Sequence, residues 1–176
     1  MRLPFLLSTT AIALAISLPA SATSFSFSTT LSNLGEPIPT STGTGSATVV
    51  FDDVTKMVSV DETFANLVNN ASAAHIHCCT AIAGTGSVGV ALGFSDFPSA
   101  KSAHYVKSFT LATLAFNNLL LGAQQGKAYL NIHSPGTYSG GEIRGFLAPV
   151  PEPAAYGMML AGLGLLAWVA KRRQRA

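Results

Sequence analysis

Gly126-Lys127-Ala128-Tyr129-Leu130-Asn131-Ile132-His133-Ser134-Pro135-Gly136-Thr137-Tyr138-Ser139-Gly140-Gly141-Glu142-Ile143-Arg144-Gly145-Phe146-Leu147 is the stretch on which the fold turns. Apolar and polar residues alternate on either side of a Pro/Gly/Ser segment, the two-residue period of a strand. The spacing therefore predicts strands over 128–133 and 142–147, joined through Pro135-Gly136 and Gly140-Gly141. This stretch holds His133, Glu142 and Arg144. An earlier cluster, Ala74-His75-Ile76-His77-Cys78-Cys79, answers it. Residues 73–77 read as a short strand, and the spacing of two sends His75 and His77 to one side of it.

Outward from these two stretches the chain keeps the same period. Residues 23–31 put Phe25 and Phe27 on one face with serines opposite. Residues 46–51 and 57–64 read as a hairpin around Asp52-Asp53-Val54-Thr55-Lys56, and residues 87–92 as a further strand. Residues 94–107 read as a polar loop with aromatics. Residues 109–125 are the one helical candidate, ended by Gly126, with a break expected around Asn117-Asn118. The acid pairs Asp52-Asp53 and Asp61-Glu62 read as solvated residues flanking the hairpin. Gly84-Thr85-Gly86-Ser87-Val88-Gly89 has dinucleotide-loop spacing, but a β-branched run follows it where a helix is needed, which excludes that reading. The chain is predicted to be mainly β, an antiparallel Greek-key β-sandwich with one short helix.

The two ends have a different character. Met1-Arg2, an apolar run through Leu18 and Pro19-Ala20-Ser21-Ala22 make a secretory signal over 1–22, with cleavage expected between Ala22 and Thr23. Residues 150–176 begin with Val150-Pro151-Glu152-Pro153, continue as an apolar run over 154–170, and finish in Lys171-Arg172-Arg173-Gln174-Arg175. The run predicts a transmembrane helix, although seventeen helical residues span only about 25 Å against a hydrocarbon core of about 30 Å. The cations are placed on the cytoplasmic side.

The precursor has 176 residues and a formal net charge of +2. Residues 23–149, one domain's worth, carry seven acidic and five basic side chains, a net charge of −2. The basicity belongs to the ends, so no patch remains for nucleic acid. No G-x-S-x-G elbow is present, and no catalytic residue is assigned.

The Pro-Glu-Pro triplet, short apolar helix and basic cluster together resemble the PEP-CTERM sorting signal of exported bacterial proteins. That resemblance implies signal peptidase and an exosortase as processing partners. It implies an inner-membrane-anchored precursor, then delivery to the cell surface or extracellular matrix of a Gram-negative bacterium. Residues 23–149 resemble the CHRD (chordin-type) domain. The residues that carry this are His75-Ile76-His77, Tyr129 to His133, Gly141-Glu142-Ile143-Arg144-Gly145, the opening segment Gly45 to Val50, and Leu120, Leu121, Gly126 and Tyr129. Cys78 and Cys79 stand where the family has Gly and Pro. The resemblance constrains fold more than function; the expected role is a non-enzymatic surface or matrix module, sorted by its tail, with exopolysaccharide or matrix proteins as partners.

Two readings of the histidines stay open. Three imidazoles converging from two strands suit copper or zinc. That arrangement is also similar to copper–zinc superoxide dismutase, with His75, His77 and His133 as ligands and Arg144 steering an anion. Alternatively they form a buried hydrogen-bonded network, with His133 on Glu142 or a loop carbonyl and Glu142 on Arg144. Cys78 and Cys79 are read as a vicinal disulfide, as thiols joining the histidines in binding soft metal, or as thiols that are free or pair between chains.

Overall fold

The computed structural model describes residues 24–36, 38, 40–151 and 153–173. The expected signal segment, with its Ala22–Thr23 cut, lies outside the described residues, as does Glu152. Nine strands hydrogen-bond into one antiparallel sheet: β1 (Ser24–Ser32), β2 (Thr44–Asp52), β3 (Met57–Ala65), β4 (Ala73–His77), β5 (Val90–Gly93), β6 (Ala103–Thr110), β7 (Tyr129–His133), β8 (Ile143–Phe146) and β9 (Ala148–Pro149). The order across it is β5-β4-β7-β8-β1-β2-β3-β6, with β9 on the side of β1. Chain neighbours β3 and β4 are far apart in that order. The sheet curls, and both halves turn their apolar faces to one core.

The alternation explains which residues go in. Phe27, Val49, Phe51, Val58, Val60 and Phe64 come from β1–β3, and Ile76, Leu130, Ile132 and Ile143 from the other half. Each is at most 1% exposed. Burying a phenylalanine of this kind contributes about 1.5–3 kcal/mol. The helix α1 (Thr113–Gln124) closes the core with Phe116, Leu119 and Ala123, and Phe116 meets Phe51 edge-on at 5.7 Å. The helix is unbroken at Asn117-Asn118 and lies close on the strand-4 side. A side chain at Gly122 would run into the sulfurs of Cys78 and Cys79, which are disulfide-bonded to each other.

Several expectations are corrected. Residues 103–110 are a strand, not loop: β6 pairs with β3 from Met57–Thr110 to Phe64–Ala103. The aromatics Phe94, Phe97, Tyr105 and Phe109 disguised the alternation, since they pack against one another at the sheet's edge. The strand expected over 87–92 is only Val90–Gly93, because the preceding residues are drawn off to cover the histidines. Asp52 is the turn residue the sequence predicts, its Oδ1 accepting from the amides of Val54 and Thr55. Glu62 is not solvated: it is 0% exposed and faces the core.

A second helix, α2, follows at Pro153–Arg173. Leu160, Leu163, Leu165, Leu166 and Trp168 are exposed on it. The expected transmembrane helix is not supported: among the described residues, no helix is long and apolar enough to cross a membrane. Lys171, Arg172 and Arg173 occupy the last turn of α2.

Candidate metal centre

Strand register decides where the histidines meet. On β4 and β7 the partners are Ala73–His133, His75–Asn131 and His77–Tyr129. Ala74 and Ile76 go to the core, which leaves His75, His77, Tyr129, Asn131 and His133 on the opposite face. Ring centroids of His75 lie 5.7 Å from His77 and 5.0 Å from His133. One nitrogen from each of the three falls within 4.8 Å of the other two.

The hydrogen bonds then fix the rings. The Nδ1–H of His77 donates to the Val88 carbonyl at 2.8 Å, and that of His133 donates to the Ser139 carbonyl at 3.0 Å. A carbonyl only accepts, so Nδ1 carries the proton in both rings and Nε2 keeps a free lone pair. Those two Nε2 atoms and Nδ1 of His75 are buried and have no hydrogen-bond partner. Burial holds His75 below the usual imidazole range, and its two histidine neighbours push the same way. His133 is lowered by burial as well, against the opposing pull of the Ser139 bond. Tyr129 stacks flat on His77 at 4.7 Å, and its hydroxyl accepts from the Val88 amide. Three imidazoles, each with a nitrogen within 4.8 Å of the other two and two of them held by a backbone carbonyl, are a donor set for zinc or copper.

Arg144 and Glu142 do different work from that expected. Arg144 donates to the carbonyls of Gly35 and Gly86 and to Ser87 Oγ, and lies over the Tyr129 ring at 5.1 Å. It staples the 33–36 and 84–88 loops to β8 and is not a free anion guide. Its acidic neighbour is Glu36, at 3.9 Å, rather than Glu142. Glu142 is fully buried and accepts from Ser41 Oγ, Ser134 Oγ and the Val68 amide, tying three connections together. His133 does not touch it. His104 is elsewhere, exposed on β6 beside Asp61 at 2.8 Å. Cys78 and Cys79 face α1 rather than the imidazoles and make no part of the cluster.

Sequence reading missed Glu36 and Asn131. Asn131 Nδ2 donates to Glu36 Oε1 at 2.5 Å, and burial pushes the Glu36 carboxyl up to about 7, with Arg144 opposing. Gly141, at φ +136°, leaves room for this pair, which a side chain there would strike. The Tyr-x-Asn-x-His spacing did signal that Asn131 shares the histidine face; nothing in the Gly/Pro-rich loop signalled Glu36.

The model of the CHRD domain matches residues 25–147, which contain every residue of this site. The chain belongs to the CHRD family. A second match, to the PEP-CTERM protein-sorting motif, covers residues 149–174 and begins where the CHRD domain stops. It implies export by way of an anchored precursor and recognition by an exosortase. No curated protein and no solved structure matches the chain.

Proposed function

We propose that the exported CHRD domain is a surface module whose chemical centre is a copper or zinc ion held by His75, His77 and His133. The observation that carries this is the trio of buried ring nitrogens left without partners. A structural network would have used those lone pairs, because a buried polar atom left unpaired costs about 1–3 kcal/mol. A metal ion satisfies all three at once, and three protein ligands leave a coordination position for a further donor. The full chain, stripped by chelator and reloaded, is expected to retain one ion. His77→Ala is expected to lose it, read by elemental analysis. Absence of stoichiometric metal in the unmutated chain would remove this reading.

A second reading concerns location and partner, and one observation favours it. The outer face of β1–β3 bears two rows of polar side chains, Ser28–Thr48–Asp61 and Thr30–Ser46–Thr63, in register across the strands. They line a groove of about 640 Å³ with Phe146 beside it. Hydroxyls on a pleated lattice, an acceptor carboxylate and a ring for stacking suit an uncharged polysaccharide. On this reading the sorted domain rests in the cell-surface matrix, bound to its exopolysaccharide. Co-sedimentation with purified matrix polysaccharide tests it: Thr48→Val combined with Ser46→Val should release the protein, and undiminished sedimentation would reject the groove.

A further inference from the structure

We propose that Asn131 is the fourth donor of the metal centre, through Oδ1, and that Glu36 is the positioning residue that aims it. The proposal rests on the three-histidine reading and deepens it. Asn131 is 2% exposed, and its Oδ1 is buried with no partner. It joins the three imidazole nitrogens as an unpaired acceptor on one sheet face. The register seats it directly across from His75, and the strand period seats it two residues from His133.

The amide is held, not loose. Nδ2 is committed to Glu36 Oε1, so Oδ1, on the other limb of the planar amide, is directed away from that carboxyl. Glu36 in turn lies 3.9 Å from the Arg144 guanidinium, which is itself fixed to two loop carbonyls. The missing side chain at Gly141 makes the Glu36–Asn131 approach sterically open. A chain of contacts running to a single unpaired oxygen is the arrangement by which outer residues orient a ligand. Three imidazole nitrogens and one neutral amide oxygen make an N3O set suited to divalent zinc, copper or cobalt, and poorly suited to monovalent copper.

The test uses the full-length chain, chelator-stripped and titrated with cobalt(II), whose visible absorption reports coordination number and donor type. Zinc affinity is measured in parallel by chelator competition. Asn131→Ala should weaken zinc about 10- to 100-fold, the range for loss of a ligand-orienting or weak ligand group, and alter the cobalt spectrum. Asn131→Asp keeps an oxygen at the same reach but no longer donates to Glu36, so it should bind more tightly than Asn131→Ala and give a cobalt spectrum different from that of the unmutated chain. Glu36→Ala should weaken binding while Glu36→Gln, which still accepts from the amide, should preserve it. If Asn131→Ala does not fold, the Asn131→Asp affinity and spectrum decide. Affinity and spectrum unmoved by the Asn131 substitutions would overturn the proposal while leaving the three histidines intact. No cobalt or zinc bound by the unmutated chain would instead remove the histidine reading beneath it.

Discussion

Glu62 shows most sharply what a single side chain does here. It sits between Val60 and Phe64 on the core face of β3, opposite Tyr105, and neither carboxylate oxygen has a hydrogen-bond partner. Burial pushes its pKa up to about 8, so at neutral pH it stays protonated. The sign follows from which state ionises first. Below about pH 4.5 the carboxyl is neutral folded and unfolded. Between there and about 8 the unfolded chain ionises while the folded one does not, so stability falls as pH rises. Glu62→Gln removes that titration. The variant should match the unmutated chain near pH 4 and exceed it by a few kcal/mol near pH 8 in urea unfolding. A gap that stays constant with pH would show that the carboxyl is not responsible. The sequence misled at this residue for a physical reason: an acid beside Asp61 looks solvated, yet its two-residue spacing from Val60 and Phe64 puts it on the face that the curled sheet closes around the core.

At the scale of elements, legibility followed the clarity of the two-residue period. The hairpin of β2 and β3, the short β4 and the final pair β7–β8 were all readable, because their apolar residues fall on alternate positions and their turns carry Gly, Pro or Asp. The face shared by His75, His77 and His133 was readable for the same reason, though only the register of β4 against β7 brings the three within reach of one ion. Strand β6 was not readable: its inward positions include Lys107, whose amine escapes to Asp96, and its outward ones include Val106. The helix break expected at Asn117-Asn118 is absent, since α1 is held by packing of Phe116 and Leu119 into the core rather than by propensity. Glu36, Ser139 and Val88 act from loops, two of them through backbone carbonyls that any residue supplies, so no side-chain pattern marks them.

For the molecule as a whole, sorting and chemistry occupy separate parts of the chain. The CHRD match ends at Leu147 and the sorting match starts at Pro149. Replacing Pro151, Glu152 and Pro153 by alanines should therefore leave the folded domain unchanged while the chain stays in the membrane fraction. Fractionation followed by immunoblotting checks this, and unchanged release of the shorter form would count against exosortase handling. The curled sheet supports that independence: every residue of the histidine site comes from β4, β7, β8 or the loops over 33–36, 84–88 and 134–142, and none comes from α2.

The last sheet contact before the tail is the amide of Val150 on the Ser26 carbonyl, next to β9 lying along β1. The way into the domain and the way out are thus a few ångströms apart. A tug on the tail would load the contacts of Val150, Pro149 and Ala148 with β1 first. The imidazoles, at the level of the opposite end of β1, would feel that pull last.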